Sequence, residues 1–301
     1  EYIIKIITLI PFKDEEALLP TALDSVKDIS DEIICVHNDT TDSSVQIAED
    51  RGALVFEYIN EEEHSWSEVN VRRKLLELGR EHGGTHFICL DADEAVSSNF
   101  KDNLDVLEKL NKGEAIIMQW IALWKRLDRY KSDSSVWSNN YKDFIFKDDG
   151  KTDFPEVKLH TPRTPTIEWE KIKIEKNIGN ILHFQFANWE AFQLKQAYYR
   201  CRDLIENEGR NIKEINGKYA ITKDTNKYKS KLVKKTYELK ITKRINENWV
   251  QGINLPSLDK IYDQGVWRLK VIEEWFDGFG VEYFKDLDIW HVKEIAELRN
   301  N

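Results

Sequence analysis

The sequence has no long apolar run, few cysteines and no excess of positive charge. No stretch of the 301 residues approaches the roughly 20 apolar residues that a membrane-spanning helix needs, so we predict none. Cys35, Cys89 and Cys201 stand singly, which disfavours a disulfide framework or a zinc site and favours a reducing, cytoplasmic compartment. The net charge of −10 argues against general nucleic-acid binding.

Glycine-rich phosphate loops are also missing. Neither GxGxxG after the first apolar run nor GxxxxGK[ST] anywhere is present, which disfavours dinucleotide enzymes and P-loop ATPases. Hydrophobic residues make up 41% and charged residues 33%, a composition typical of a globular chain. The length suffices for one large or two modest domains.

Strand-like and helix-like segments alternate through the first third. Predicted strands are "IIKIITLIPF", "DEIICVHND", "ALVFEY" and "HFICL", and predicted helices are "DEEALLPTALDSVKDI", "TTDSSVQIAEDRG" and "SEVNVRRKLLELGREHG". This alternation predicts an α/β fold, with a mostly parallel sheet covered by helices on both faces. In such sheets, ligands bind beyond the carboxyl ends of the strands, which here are followed by "PFKDEE", "HNDTTDSS" and "DADEAV".

The last of these loops places three carboxylates, Asp91, Asp93 and Glu94, directly after an apolar strand. Like charges this close repel one another, and a hard cation such as Mg²⁺ or Mn²⁺ would neutralise them. Alternatively, the acidic residues cap a following helix, whose N-terminus favours negative charge. The residues alone leave both interpretations open.

The order of these segments resembles the inverting family-2 glycosyltransferases of GT-A fold. The matching stretches are "IPFKDEEALLPTALDSV", "DEIICVHNDTTDSSVQIA", "VRRKLLELG" and "FICLDADE", with Asp91-Ala92-Asp93 as the Asp-x-Asp motif, and they cover roughly the first 100 residues. The resemblance implies a Rossmann-like GT-A domain, a nucleotide-sugar donor and Mn²⁺ or Mg²⁺ as cofactor. In the family the second loop usually opens with two acidic residues, but here His37 and Asn38 stand there, so uridine is the favoured base without being fixed.

The resemblance also assigns roles to single residues. Asp93 is the direct metal ligand, Asp91 contacts the ribose or helps to hold the cation, and His183 completes the metal or diphosphate shell. The nucleotide-binding residues that it implies, besides Asp91, are Pro11, Asp14, Glu15, Asn38, Asp39 and Arg72. For His183, a satisfied core histidine is the competing interpretation.

An inverting transferase needs one carboxylate as general base for the acceptor hydroxyl. Glu175 is the first choice, because its spacing after Trp169 resembles related sugar transferases. A solvent-facing strand with Lys171 and Lys173 explains the same charges. Glu156 and Glu190 are the alternatives.

We predict a catalytic domain over residues 1–200, with a nucleotide-sugar half at 1–100 and an acceptor half at 101–200. Within the acceptor half, residues 142–154 look like a hairpin. A mainly helical extension is predicted for 201–301, including the lysine-rich stretch 226–244 as a solvated helix face. The apolar helix within 263–280 packs on its own chain, contacts a second subunit, or lies peripherally on a membrane.

These patterns favour a metal-dependent inverting glycosyltransferase. It would move a sugar from a UDP-linked donor to a hydroxyl of a glycan or glycolipid by direct displacement. Two other classes stay open: a nucleotidyltransferase, which also holds Mg²⁺ with carboxylates at a strand end, and a catalytically inactive carbohydrate-binding relative.

Overall fold

Strands and helices alternate in the computed structural model as the sequence predicts. The structure describes residues 4–59, 68–135, 137–156, 161–166, 168–207, 209–219, 227–229, 236–238 and 242–299. The first third contains β1 (Ile6–Phe12), α1 (Leu19–Val26), β2 (Glu32–His37), α2 (Ser44–Asp50), β3 (Leu54–Glu57), α3 (Glu68–Glu81) and β4 (His86–Cys89). Each predicted segment is therefore confirmed in kind, with its ends trimmed by a few residues.

The middle of the chain adds shorter strands. They are β5 (Glu94–Val96), β6 (Glu114–Ala122), β7 (Arg129–Lys131), β8 (Tyr141–Lys147), β9 (Glu170–Lys173) and β10 (Asn180–His183), with a 3-10 helix over Ser98–Leu107. The predicted hairpin over 142–154 is wrong, since only its first arm is a strand. Asp148, in the expected turn, instead accepts hydrogen bonds from Arg80 on α3.

One nine-stranded mixed sheet organises these elements, in the order β3-β2-β1-β4-β8-β6-β10-β5, with β9 beside β6. Strands β3, β2, β1 and β4 run parallel, as do β9, β6 and β10. Strand β8 is antiparallel to both β4 and β6, so β4 and β6 point the same way. The carboxyl ends of β1, β2, β4, β6 and β10 therefore meet at one edge, together with the amino ends of β8 and of β5, which is antiparallel to β10. We call this the carboxyl edge.

Strand β1 is buried along its whole length, because helices cover both faces of the sheet at this strand and its alternate side chains point into each core. Ile10 packs with α1 residues such as Leu23 in one core cluster. Leu9 packs with α3 residues such as Leu75 in the other. The continuous apolar run of this strand thus follows from its central position between two helical layers.

Contacts divide the chain into two compact units that interleave along the sequence. The first comprises Glu1–Ala122, Val136–Phe184 and Ile245–Pro256, and the second comprises Leu123–Ser135, Gln185–Arg244 and Ser257–Asn301. The domain boundaries expected from the sequence, at residues 100 and 200, stay predictions.

The second unit is mainly helical, which confirms a helical C-terminal region. Its helices are α4 (Trp189–Glu206), α5 (Ile212–Lys218), α6 (Leu258–Gly265), α7 (Trp267–Phe279) and α8 (Lys293–Leu298). Helix α7 buries Ile272 and Phe276 in the core of this unit, with Cys201 of α4 in the same cluster. Within the described ranges, no helix combines the length and the apolar character that crossing a membrane requires.

The helical prediction is wrong for the described parts of the lysine-rich stretch 226–244, and the other residues of that stretch lie outside the described ranges. Its described parts are the strands β11 (Lys227–Lys229), β12 (Thr236–Glu238) and β13 (Thr242–Arg244). Strands β11 and β12 pair with each other, and β13 pairs with β7. Each of these strands contains tyrosine or threonine, residues that favour a pleated surface over a helix.

Helix α3 lies close to β4 because Gly79 has no side chain. A Cβ at this position would sit 2.5 Å from Cε1 of Phe87, whereas a Cβ at Gly217, in α5, would meet nothing within 4 Å. We expect Gly79→Ala to lower the free energy of unfolding by about 1–3 kcal/mol through overpacking. Gly217→Ala should raise it by up to about 1 kcal/mol through helix propensity. Urea unfolding of both variants measures the difference, and a stabilised Gly79→Ala would contradict this packing.

His86, at the start of β4, should make stability depend on pH. Burial, helped by nearby Lys147, lowers the pKa of His86 from 6.5 to about 4. Between these values the unfolded chain binds a proton that the folded chain does not, so stability falls as the pH falls, by up to about 3 kcal/mol. Urea unfolding at pH 7.5 and pH 4.5 should show a smaller loss for His86→Leu than for the unmodified chain. Equal losses would contradict the assignment.

Candidate active site

The acidic turn, residues 91–94, closes on itself at the carboxyl edge. The backbone N–H of Asp91 donates to Oε2 of Glu94 at 3.0 Å, and the N–H of Glu94 donates to the carbonyl of Asp91 at 3.1 Å. The carbonyl of Asp93 accepts the N–H of Phe184, which directly follows β10. The turn therefore leads the chain from β4 towards β10 and β5, and these bonds fix its backbone and the Glu94 carboxylate.

Two arginines neutralise part of this charge. Nη2 of Arg163 lies 2.5 Å from Oδ2 of Asp91 and 2.5 Å from Oε1 of Glu94. On the other side, Nη2 of Arg72 donates to Oδ1 of Asp91 at 2.8 Å. Both arginine side chains are buried, at 3% exposure for Arg72 and 9% for Arg163. Guanidinium groups, which stay protonated, are thus the resident counter-charges of the turn.

The pKa values of Asp91 and Glu94 shift in opposite directions beside these arginines. Burial alone would raise the pKa of Asp91, but Arg163 and Arg72 beside it hold that pKa below its ordinary value. Burial raises the pKa of Glu94, against the opposing effect of Arg163, and the charge of Asp91 adds to the increase. Asp91 is therefore the carboxylate that the arginines keep ionised.

A second set of side chains in this turn suits a divalent cation. Asp93, Glu94 and His183 each offer one ligand atom, and these atoms all lie within 4.8 Å of one another. Nε2 of His183, the last residue of β10, is 3.4 Å from Oδ2 of Asp93. Two carboxylates and an imidazole fit Mn²⁺, and also Mg²⁺ with added water or phosphate oxygens. The structure thus groups Glu94, and not Asp91, with Asp93 and His183, the other two expected ligands.

Aromatic rings pack beside the group formed by Asp93, Glu94 and His183. The ring of Trp120, on β6, stacks on His183 with centroids 4.0 Å apart and planes inclined by 20°. Nζ of Lys142, on β8, lies 3.6 Å from the centroid of Trp120. The guanidinium of Arg163 lies over Phe144, also on β8, at 4.9 Å. Stacking fixes the plane of the His183 ring, as a metal-ligating imidazole requires.

The two loops expected to border a nucleotide are tied together. Oδ1 of Asp14 accepts the N–H of Thr41 at 2.7 Å, and the N–H of Glu15 donates to Oγ of Ser44 at 2.8 Å. Asp14 and the exposed Asp39 both adopt left-handed backbone conformations, with φ of 51° and 46°. Such strain persists where surrounding bonds hold it, and it is frequent at ligand sites.

The ends of β1 and β2 contribute one buried amide. Pro11 lies beside Val36 in the sheet, and His37 stacks on Phe12 with centroids 5.6 Å apart. Nδ2 of Asn38 donates to the carbonyl of Tyr58 at 2.7 Å, while its buried Oδ1 has no hydrogen-bond partner among the described residues. An acceptor therefore remains on Asn38, at the place where the sequence suggests base recognition.

The structure does not join the predicted general bases to the acidic turn. Glu156 is 80% exposed and bonds Arg73 at 2.8 Å. Glu175 is exposed after β9, and Glu190 is exposed in the first turn of α4, in the second unit. Among the described residues, neither Glu156 nor Glu175 forms a side-chain hydrogen bond or ion pair with the turn. Their catalytic role stays a prediction.

Sequence reasoning missed Lys142 and Trp120 as neighbours of the site, and Glu94 as a member of the ligand set. The "DADE" spacing did contain a signal for Glu94, because it stands directly beside Asp93. No comparable signal exists for Lys142, since its place depends on β8 inserting between β4 and β6.

Comparison with curated proteins finds two relatives that match over a short stretch. An uncharacterized glycosyltransferase of Rickettsia typhi is 33% identical over 108 residues, which cover 34% of this chain and 32% of the relative. An uncharacterized glycosyltransferase of Rickettsia prowazekii is 32% identical over 108 residues, with the same coverage. The chain therefore spans about a third of the length of the curated relatives that it matches.

Comparison with solved structures finds Staphylococcus aureus TarS, at a TM-score of 0.44 and 13% identity, over 73% of this chain and 43% of TarS. It also finds glucosyl-3-phosphoglycerate synthase from Mycobacterium tuberculosis in complex with Mg²⁺ and UDP. That match has a TM-score of 0.31 and 19% identity, over 39% of this chain and 43% of the synthase.

The family comparison covers the loops that follow β1 and β2, together with α3, the acidic turn and β8. The model of glycosyl transferase family 2 matches residues 8–158, which is half of the chain. The chain therefore belongs to glycosyl transferase family 2.

Proposed function

We propose that this chain is a metal-dependent, inverting glycosyltransferase that moves a hexosyl group from a UDP-sugar to a hydroxyl of a glycan or glycolipid. The observation that carries the proposal is the grouping of Asp93, Glu94 and His183 at the carboxyl edge. Family membership supports the transfer of a sugar and weighs against a nucleotidyltransferase. Metal, donor, acceptor and stereochemistry are our proposals.

Mn²⁺ or Mg²⁺, when bound, would neutralise the negative charge that builds up on the leaving diphosphate. Asp93, Glu94 and His183 would hold it. Asp91 would not be a primary ligand, because its carboxylate is bonded to two arginines, Arg72 and Arg163. Glu94 is bonded to one arginine and offers an oxygen within 4.8 Å of the ligand atoms of Asp93 and His183. We assign Asp91 to the ribose and to fixing the turn.

Arg72 and Arg163 would also act on the leaving group through their charge. Both are buried next to the acidic turn, where charges interact more strongly than in water. Because they are fixed by carboxylates before the reaction, they stabilise the departing diphosphate without reorganising. This preorganised field is the contribution of the chain's own residues on the phosphate side.

The nucleotide would lie along the joined loops of β1 and β2. We assign the buried Oδ1 of Asn38 to accept a hydrogen bond from a base N–H, such as that of uracil. Asp39 would contact base or ribose, and Pro11 and Glu15 would border the nucleotide. Asp14 would act as a positioning residue, since its carboxylate holds the backbone of Thr41.

Inversion requires attack from the face opposite the leaving group. The acceptor oxygen forms a bond to the anomeric carbon as the bond to the phosphate oxygen breaks, and the hydroxyl proton passes to one carboxylate. We assign that base to Glu175, with Glu156 and Glu190 as the alternatives. A cytoplasmic location, and peripheral membrane or subunit contact through the C-terminal helices, are further predictions.

The activity test is hydrolysis of a panel of nucleotide sugars with Mn²⁺, Mg²⁺ or EDTA. We expect release of one nucleotide, abolished by EDTA and reduced about 10²- to 10³-fold in Asp93→Asn, because that change removes a metal-ligating charge. Asp102→Asn, an exposed carboxylate in the 3-10 helix, is the matched control and should keep full activity. Gln variants of Glu175, Glu156 and Glu190 then identify the base as the one that loses turnover but not UDP affinity.

Other outcomes of this assay exclude parts of the proposal. Turnover that survives EDTA would contradict metal dependence. Pyrophosphate release would indicate a nucleotidyltransferase. Binding of a nucleotide sugar without turnover, even with glycan acceptors present, would indicate an inactive relative.

The ion pairs of Arg163 with the acidic turn lead to a separate prediction about stability. Removal of Arg163 leaves buried Glu94 without its counter-charge, so Arg163→Met should lower the free energy of unfolding by about 3–5 kcal/mol. The control is Arg126→Met, which breaks an exposed pair with Asp128 and should change stability little. Urea unfolding measures both free energies. Equal effects of the two changes would contradict the role of Arg163 as the counter-charge of Glu94.

A further inference from the structure

Lys142 lies at the carboxyl edge, and the sheet register decides which face it occupies. Strand β8 pairs Lys142 with Met118 of β6. Directly paired residues share a face, as do residues two apart, so Lys142 lies on the same face as Trp120. Its contact with the Trp120 ring agrees with this placement.

The neighbouring lysines lie on the other face of the sheet. Lys171 of β9 donates to Asp143 at 2.7 Å, and Nζ of Lys173 is 3.9 Å from the centroid of Tyr141. Tyr141 and Asp143 flank Lys142 in β8, so their side chains point away from it. Of these three lysines, Lys142 is therefore the one on the side of His183 and the acidic turn.

Lys142 has no ion-pair partner among the described residues, although it is half-buried. The charges near enough to affect it include Arg163, which repels it, and Asp91 and Glu94, which attract it. These two carboxylates are already bonded to arginines. A half-buried ammonium without a direct counter-ion costs free energy, of which the Trp120 ring offsets only part. An anion brought to this edge would meet an available cation.

We infer that the Lys142 ammonium binds an anionic phosphate-class oxygen of a substrate. The inference deepens the proposed function and rests on it in placing a substrate at this edge. The compact charge of lysine suits phosphate oxygens. The phosphate comes either from the donor diphosphate or from an anionic group on the acceptor.

Calorimetry on the full chain with Mg²⁺ distinguishes these sources. The test variant is Lys142→Met, which keeps the apolar stem over Trp120 and removes the charge. Lys173→Met is the matched control, because it removes a lysine from an aromatic ring on the opposite face. Thermal midpoints within a few degrees of the unmodified chain verify that both variants fold.

Three titrants are used: UDP, uridine, and inorganic phosphate added to protein saturated with Mg²⁺ and UDP. If the donor supplies the phosphate, Lys142→Met should weaken UDP binding about tenfold, the size of one charge-assisted hydrogen bond, and leave uridine unchanged. If the acceptor supplies it, UDP binding stays the same and the binding of inorganic phosphate falls about tenfold. Lys173→Met should affect neither.

Unchanged affinities for both UDP and phosphate in Lys142→Met would overturn the inference while leaving the donor site intact. If the unmodified chain binds no UDP, the proposed function fails separately. Phosphate titration without nucleotide then decides the role of Lys142, and absent or equal binding in the two proteins overturns it.

Discussion

Arg163 donates from one nitrogen to Asp91 and to Glu94, at 2.5 Å each, and this shared bond is the constraint on which the site depends. Three carboxylates within four residues repel one another, so the turn needs a counter-charge in order to fold. Arg163 supplies it from one side and Arg72 supplies it from the other. Asp93 lies beside His183, with Nε2 of His183 3.4 Å from Oδ2 of Asp93. Glu94 belongs both to the arginine-bonded group and to the group suited to a cation, so it connects the two.

Sheet topology explains how distant segments reach this turn. Because β8 runs antiparallel between β4 and β6, its amino end reaches the edge where the parallel strands have their carboxyl ends. Lys142, Trp120 and His183 therefore share one face, although they come from three separate strands. The loops of β1 and β2 reach the same edge through their parallel pairing with β4. One arrangement of strands thus assembles the proposed metal, nucleotide and phosphate contacts.

Local patterns predicted much of the first third and less of the rest. Strand β1 and helix α3 follow from the spacing of their apolar residues, and the acidic turn follows from its place after an apolar strand. The lysine-rich stretch is ambiguous from sequence alone, because lysines occur on solvated helix faces and also in strands. The partners of the turn are long-range, since Arg163 lies 72 residues from Asp91. No spacing rule connects them, so the grouping of Glu94 with Asp93 and His183 emerged only from the fold.

The central claim, that Asp93, Glu94 and His183 hold a divalent cation, is tested most directly by anomalous diffraction from crystals grown with Mn²⁺ and UDP. The account predicts a manganese peak in contact with all three side chains, with Asp91 still bonded to Arg72 and Arg163. A peak coordinated by Asp91 with the arginines displaced would contradict it. So would manganese bound elsewhere while these three side chains stay without metal.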